Sequence, residues 1–306
     1  MSALAFTIVA LLLVGPAPAL LARASWPMRA PRAAVVLWQA IALAAVLSAF
    51  SAGIAIASRL FVPGPDGRPT ATITSEIDAL GWPLWLLYVV VFTLTLLIGA
   101  RLAAAAVQVA IATRRRRAHH RMLVDLLGRA QSSHLRVLDV EQPLAYCLPG
   151  VRSRVVVSEG TLTTLSDNEI AAILTHERAH LRARHDLVLE MFTAVHAAFP
   201  RFVRSASALD AVKLLIELLA DDAAVRAAGP TPLARALVAC AAGPAPSGAL
   251  AAGGPTTVLR VRRLGGRPNS LALAVGAYSA AAALLVVPTV AVAVPWLTEL
   301  QRLFAV

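Results

Sequence analysis

The stretch Ile170-Ala-Ala-Ile-Leu-Thr-His-Glu-Arg-Ala-His-Leu-Arg182 decides how the rest of the chain is read. Residues four apart on a helix share one face, so His176 and His180 can turn their imidazoles toward a single point. Glu177 lies one residue on, beside that face. Ser166-Asp-Asn-Glu169 upstream has the form of a capping box, which gives the helix a defined start. The turns between (Ile170, Ala171, Ala172, Ile173, Leu174) are apolar, as expected of a helix running through a core.

His176-Glu177-Arg178-Ala179-His180 is an HExxH string, the spacing in which two histidines bind Zn2+ and the glutamate serves as general base of a metallopeptidase. The plain alternative is a charged, solvated helix turn, which Arg178, Arg182 and Arg184 make conceivable. A third ligand candidate weighs against it. Glu217 sits in Ala211-Val-Lys-Leu-Leu-Ile-Glu-Leu-Leu-Ala-Asp-Asp-Ala-Ala-Val225, an otherwise apolar helical run. A buried carboxylate needs a partner, and a metal ion would supply one. Asp221, four residues on, is placed to accept the second N–H of a ligating histidine. The competing reading of Glu217 is an exposed i,i+4 pair with Lys213. The metzincin pattern does not fit, because Asp186 stands where its third histidine would be and Ala183 replaces its glycine. His185 reads as a polar residue at the helix end.

The chain has 306 residues, 58% of them hydrophobic, far more than a soluble enzyme carries. Its two cysteines, Cys147 and Cys240, lack framework spacing and read as reduced thiols. The net charge of +11 comes almost wholly from arginine, since Lys213 is the only lysine. These arginines cluster beside apolar spans, which points to membrane topology rather than direct binding of nucleic acid. Four segments can cross a bilayer: about 3–22, 33–58, 82–111 and 271–297. Nothing basic precedes the first, so it is not read as a signal peptide. The third is longer than a bilayer requires, and from about Arg101 it is expected to continue as a cytoplasmic helix. Arg23, Arg29 and Arg32 follow span one; Arg114-Arg-Arg-Arg117 and Arg121 follow span three; Arg260, Arg262, Arg263 and Arg267 precede span four. The loop at 59–81 is mixed in charge. The positive-inside rule then puts both termini outside and residues 112–270 in the cytoplasm.

Within that insert, Leu135–Glu141, Ala145–Leu148 and Arg154–Ser158 read as short strands with a turn at Pro149-Gly150. An extended substrate can pair with the edge of such a sheet. Residues 186–199 read as an apolar helix ended by Pro200, with His196 a core or interface residue. Residues 243–256 read as a flexible, low-complexity link to span four. Tyr146 lies in the strand region, but nothing in the sequence ties it to an oxyanion.

Taken together, three spans, a Leu-Pro-Gly turn, a Val-rich strand, a Ser-Asp-x-Glu cap, His-Glu-Arg-Ala-His-Leu-Arg-x-Arg-His-Asp, a later Glu-Leu-Leu-Ala-Asp-Asp-Ala and a fourth span make the chain resemble the BlaR/MecR-type antirepressor family of integral-membrane metallopeptidases. The resemblance implies a gluzincin-like site with His176, His180 and Glu217 as metal ligands and Glu177 as catalytic base. It also implies signalling through cleavage of a cytoplasmic protein, a winged-helix transcriptional repressor, often with self-cleavage. A homodimer is compatible with it. The best-known members carry an external penicillin-binding domain after the fourth span. Here a short tail follows that span and no Ser-x-x-Lys motif is visible, which argues against β-lactam sensing.

The expectation is therefore an α-helical membrane protein with four transmembrane helices and an inserted α+β zincin-like cytoplasmic metallopeptidase domain. It divides as 1–111 (three spans in the lipid bilayer), 112–270 (peptidase) and 271–306 (fourth span and external tail). Two other readings remain. One is a quality-control or prenyl-protein peptidase of the HtpX or CAAX kind, although HtpX-type chains place spans after the site in pairs. The other is a catalytically silent membrane scaffold, against which the full set of His176, Glu177, His180 and Glu217 argues.

Overall fold

The structure is a computed structural model and describes residues 2–57, 77, 81–199, 206–241, 250–251, 256–266 and 268–304. Most of the expected loop at 59–81 and most of the 243–256 link lie outside these residues.

Among the described residues, four helical stretches are long and apolar enough to cross a membrane. The first is broken into α1 (Ser2–Val14) and α2 (Pro16–Arg23), because Pro16 has no N–H with which to continue the ladder. A short 3-10 turn (Trp26–Arg29) leads into α3 (Pro31–Ala57). Helix α4 runs unbroken over Trp82–Leu127, 46 residues. At 1.5 Å per residue that is about 69 Å, more than twice the roughly 30 Å of bilayer hydrocarbon. Its apolar first half can span, and its arginine-bearing second half must project beyond. The α3 helix is the centre of the bundle. Ala33, Ala34, Ala40 and Ala44 are buried on it, and such small residues let α1 and the fourth span approach closely around Trp38. Leu86, Leu94 and Leu97 of α4 stay exposed, the pattern of a lipid-facing surface.

After α4 come β1 (Arg129–Ala130), β2 (Leu135–Leu138), β3 (Ala145–Leu148), β4 (Arg154–Ser158) and α5 (Glu159–Thr164). Three helices follow: α6 (Asp167–Arg182), α7 (His185–Ala198) and α8 (Ala206–Ala228). The chain closes with α9 (Pro230–Cys240), β5 (Leu250–Ala251), α10 (Thr257–Leu264) and α11 (Leu271–Phe304). The sheet has the order β1-β2-β4-β3-β5 and is mixed, with β2 and β4 parallel and the other pairs antiparallel. The strand expected over Leu135–Glu141 ends at Leu138, where Val140 N turns back to Leu138 O.

Two hydrophobic cores flank the middle of α6 and α8. One lies between the sheet and α6, α8 and α9, and includes Val157, Ile173, Leu233 and Leu237. The other joins Trp38 and Ile41 of α3 to Phe192 of α7 and to Leu215, Ile216 and Leu218 of α8. Packing is therefore continuous from the membrane bundle into α8, the helix that carries Glu217 and Asp221.

Candidate metal centre

Helix α6 starts where Ser166 N donates to Glu169 Oε2 at 2.9 Å. Ala172 and Ile173 then fix its face in the core, so the next turn carries His176, Glu177 and His180 inward. All three are fully buried. The two Nε2 atoms lie 3.2 Å apart. From α8, Glu217 places Oε2 3.4 Å from His176 Nε2 and Oε1 3.5 Å from His180 Nε2. One ligand atom from each of the three residues falls within a 4.8 Å group. Lys213 does not compete for Glu217, because it is exposed and faces Asp210 at 3.4 Å.

The outward nitrogens of both histidines also have neighbours. Nδ1 of His176 lies 3.0 Å from Asp221 Oδ1, one turn beyond Glu217 on α8. Nδ1 of His180 lies 3.0 Å from Nδ1 of His185. His185 is thus not a polar helix end: it is buried at the start of α7 and backs His180. The left-handed conformation of Arg184 (φ 51°) turns the chain sharply between α6 and α7 and brings His185 under the site. Asp186 beside it is held by Arg117 of α4 at 3.1 Å, and Glu190 by the same guanidinium at 2.7 Å.

The arrangement fits a cation. Both Nε2 atoms face each other and a carboxylate, and the Arg260 guanidinium borders them, Nη2 3.5 Å from His176 Nε2 and Nη1 3.0 Å from Glu217 Oε2. Two imidazoles and one carboxylate are a zinc donor set. Burial lowers His180 to about 3, which keeps it neutral, the form that ligates. Burial would also lower His176, but hydrogen bonds to Asp221 and Glu217 outweigh it and raise the group to about 9. Burial opposes ionisation of Glu217, yet His180, His176 and Arg260 together hold it at about 2. Both oxygens of Glu177 are buried without a hydrogen-bond partner, and burial pushes its carboxyl up to about 7. An orphaned acceptor of this kind, beside three converging ligands, is placed to meet a water or a substrate.

Three neighbours of the site were not legible as such. Arg260 of α10, read from sequence only as a charge ahead of span four, is buried. Its Nη1 lies 3.0 Å from Glu217 Oε2, its Nε donates to Asp221 Oδ2 at 2.9 Å and its Nη2 donates to Oδ1 at 2.6 Å. Arg263 on the same helix pairs with Asp222 at 2.7 Å and donates to Met28 O. Cys147 of β3 is buried beside Glu177, and burial together with that neighbour pushes its thiol up. Because side chains alternate along a strand, Tyr146 faces the other way. It packs against Val124 of α4 and bonds His120 Nε2 at 2.9 Å, so its hydroxyl does not serve the site.

The β3 edge nearest Glu177 is paired with β5, Cys147 opposite Leu250 and Tyr146 opposite Ala251. Part of the 243–256 link therefore lies along the sheet edge as a short strand.

Comparison with models of known families matches residues 111–267, just over half of the chain, to Peptidase family M48. The matched region runs from the projecting half of α4 through α10 and contains every residue of the site. No curated protein and no solved structure matches the chain.

Proposed function

The chain belongs to peptidase family M48, which makes it a metallopeptidase, and on that premise we propose a membrane-embedded zinc endopeptidase in which His176, His180 and Glu217 hold the metal and Glu177 is the catalytic base. The observation that carries the reading is the convergence of three ligand atoms within 4.8 Å, two imidazole Nε2 atoms 3.2 Å apart and a carboxylate oxygen. Zinc bound there would acidify a water and polarise the scissile carbonyl.

The chain's own groups supply the rest. Glu177, buried and otherwise unpartnered, takes the proton of the attacking water and returns it to the leaving amine. Asp221 and His185 orient the two imidazoles through their Nδ1 atoms. Arg260 fixes Asp221 behind His176 and also balances the charge of the ligand Glu217. The edge of β3 offers main-chain pairing to an extended substrate, and β5 occupies the same register.

On the arginine distribution we assign the site to the cytoplasmic side. On the resemblance to the BlaR/MecR type we assign a transcriptional repressor as substrate, so that cleavage transmits a signal. Family membership alone is equally consistent with an HtpX-like quality-control peptidase. What favours the first reading is the motif order, with three spans ahead of the site and one after it. The test is the half-life of a repressor encoded beside this chain, followed in cells carrying wild type or Glu177→Gln. A half-life independent of Glu177 would discard the signalling role and leave the peptidase standing.

A further inference from the structure

A cavity of about 170 Å³ lies where the membrane bundle meets the peptidase helices. Its bundle wall is formed by residues such as Trp38, Val46, Phe50 and Ile98, and its far wall by Phe192 and Val195 of α7 and Leu209 of α8. The lining is almost wholly apolar, with the His196 imidazole as its one ionisable side chain, so water has few partners there. A dry apolar cavity of about 150 Å³ is large enough to take a benzene-sized hydrophobic guest.

Three observations choose the occupant. Val14 and Ile98 line the cavity and are also 39% and 38% exposed on the outer surface of the spans, so the cavity communicates with the face that lipid covers. A neighbouring cavity of about 250 Å³ shares Ile98 and Phe199 with it and is bordered by Arg101. Arg101 is exposed, near the middle of an otherwise apolar stretch of α4, and its Nε donates to the last turn of α7 at Ala198 O, 3.2 Å away. A cation beside an apolar slot that opens to the bilayer has the charge pattern of a phospholipid: phosphate at the guanidinium, acyl chain in the slot.

We propose that this junction binds one phospholipid of the bilayer, its phosphate at Arg101 and an acyl chain between α3 and α7. The site is separate from the metal centre, yet its far wall is built from α8, which carries Glu217, and from α7, whose first residue backs His180. α7 begins with His185 against His180, and α8 carries Glu217 about two turns beyond Leu209. The lipid is thus a wedge between the bundle and the helices that set the ligands.

The test uses the full chain in nanodiscs of phosphatidylglycerol with a small fraction of the same lipid bearing a diazirine at the end of one acyl chain. After photolysis, labelled peptides are mapped by mass spectrometry. The expected result is labelling of α7 around Phe192 and Val195 in addition to the outward faces at Leu94 and Leu97. Ala49→Phe, which fills the slot from α3, should abolish the α7 label and leave the Leu94 and Leu97 label unchanged. Arg101→Gln should reduce the α7 label about five-fold, the loss of about 1 kcal/mol of headgroup attraction. Labelling confined to the outward faces in wild type, or an α7 label unmoved by both variants, overturns the proposal and gives the cavity to another occupant or to none. None of these readouts depends on bound metal or on cleavage, so their failure would leave the peptidase reading untouched.

Discussion

Arg260 grips both oxygens of Asp221, 39 residues away in sequence, with Nε at 2.9 Å and Nη2 at 2.6 Å. Asp221 in turn faces Nδ1 of His176, so a guanidinium, a carboxylate and an imidazole stand in line behind the candidate metal. All three are buried. Burial would raise Asp221, but the bonds from Arg260 and His176 hold it well below the usual carboxylate range. The aspartate stays charged, and the imidazole it faces is held in one orientation. Helix α10 thereby ties the approach to the fourth span to the chemistry of the site.

Removing one end of that line should be costly in two distinguishable ways. Asp221→Ala should weaken zinc binding about 10- to 100-fold, the usual effect of losing the group that orients a ligating histidine. Arg260→Ala leaves the buried Asp221 carboxylate without its cation and should destabilise the fold by about 3–5 kcal/mol. Arg260→Lys keeps the charge but loses the fork and should recover only part of that stability. Zinc competition and denaturant titration in detergent check the two effects. A fully stable Arg260→Ala protein would show that the arginine is a bystander.

The third-ligand assignment predicts one zinc per wild-type chain and a large loss in Glu217→Ala. Metal content by mass spectrometry after exhaustive dialysis decides it, since a variant that keeps full occupancy has another third ligand. Chelation of the wild type should also lower its thermal midpoint, and added zinc should restore it, because the ion binds only the folded arrangement.

Much of this site was legible in the sequence because helix periodicity is local. His176, Glu177 and His180 share one turn, and a lone acid among leucines marks Glu217. Arg260 was not legible, because an ion pair across 39 residues leaves no periodic trace. His185 was misjudged for a related reason. Its burial depends on the left-handed Arg184, a residue whose type does not announce that conformation. The fold shows the same division. The spans followed from length and composition, whereas the two-residue strand β5 rests on pairing alone and lay inside a stretch read as a link.

The orientation argument also changes in weight. Arg260 and Arg263 are neutralised by Asp221 and Asp222, and Arg117 by Asp186 and Glu190, so these arginines say less about topology than a bare count suggests. The orienting charge then rests on Arg114, Arg115, Arg116 and Arg121, on Arg262 and Arg267, and on Arg23, Arg29 and Arg32. A reporter fused at residue 245 should read as cytoplasmic and one at residue 70 as external. Replacing Arg114, Arg115 and Arg116 with Gln should disturb that pattern more than replacing Arg260 and Arg263. The opposite ranking would mean that orientation is set by something other than these charges.

Glu177→Gln is the sharpest test of turnover, because it should keep zinc and lose cleavage. The amide occupies the same space but cannot accept the proton of water, and general-base loss typically costs about 10²- to 10⁴-fold. The self-cleavage idea belongs to the same experiment. Leu250–Ala251 already lies as a strand against β3, the edge beside Glu177, in the extended form a peptidase needs. The Arg262-Arg263 bond is a poorer candidate, since both residues lie within helix α10 and Arg263 is pinned to Asp222. A cut near residue 250 would release α10, and with it Arg260, from its chain connection to α9. The expected outcome is a C-terminal fragment beginning near residue 250 in wild type and absent in Glu177→Gln, read by mass spectrometry of membranes after expression. If both proteins give the same fragment, another protease makes it. If neither gives one under any inducing condition, the strand at β3 is structural and self-cleavage is not part of the mechanism.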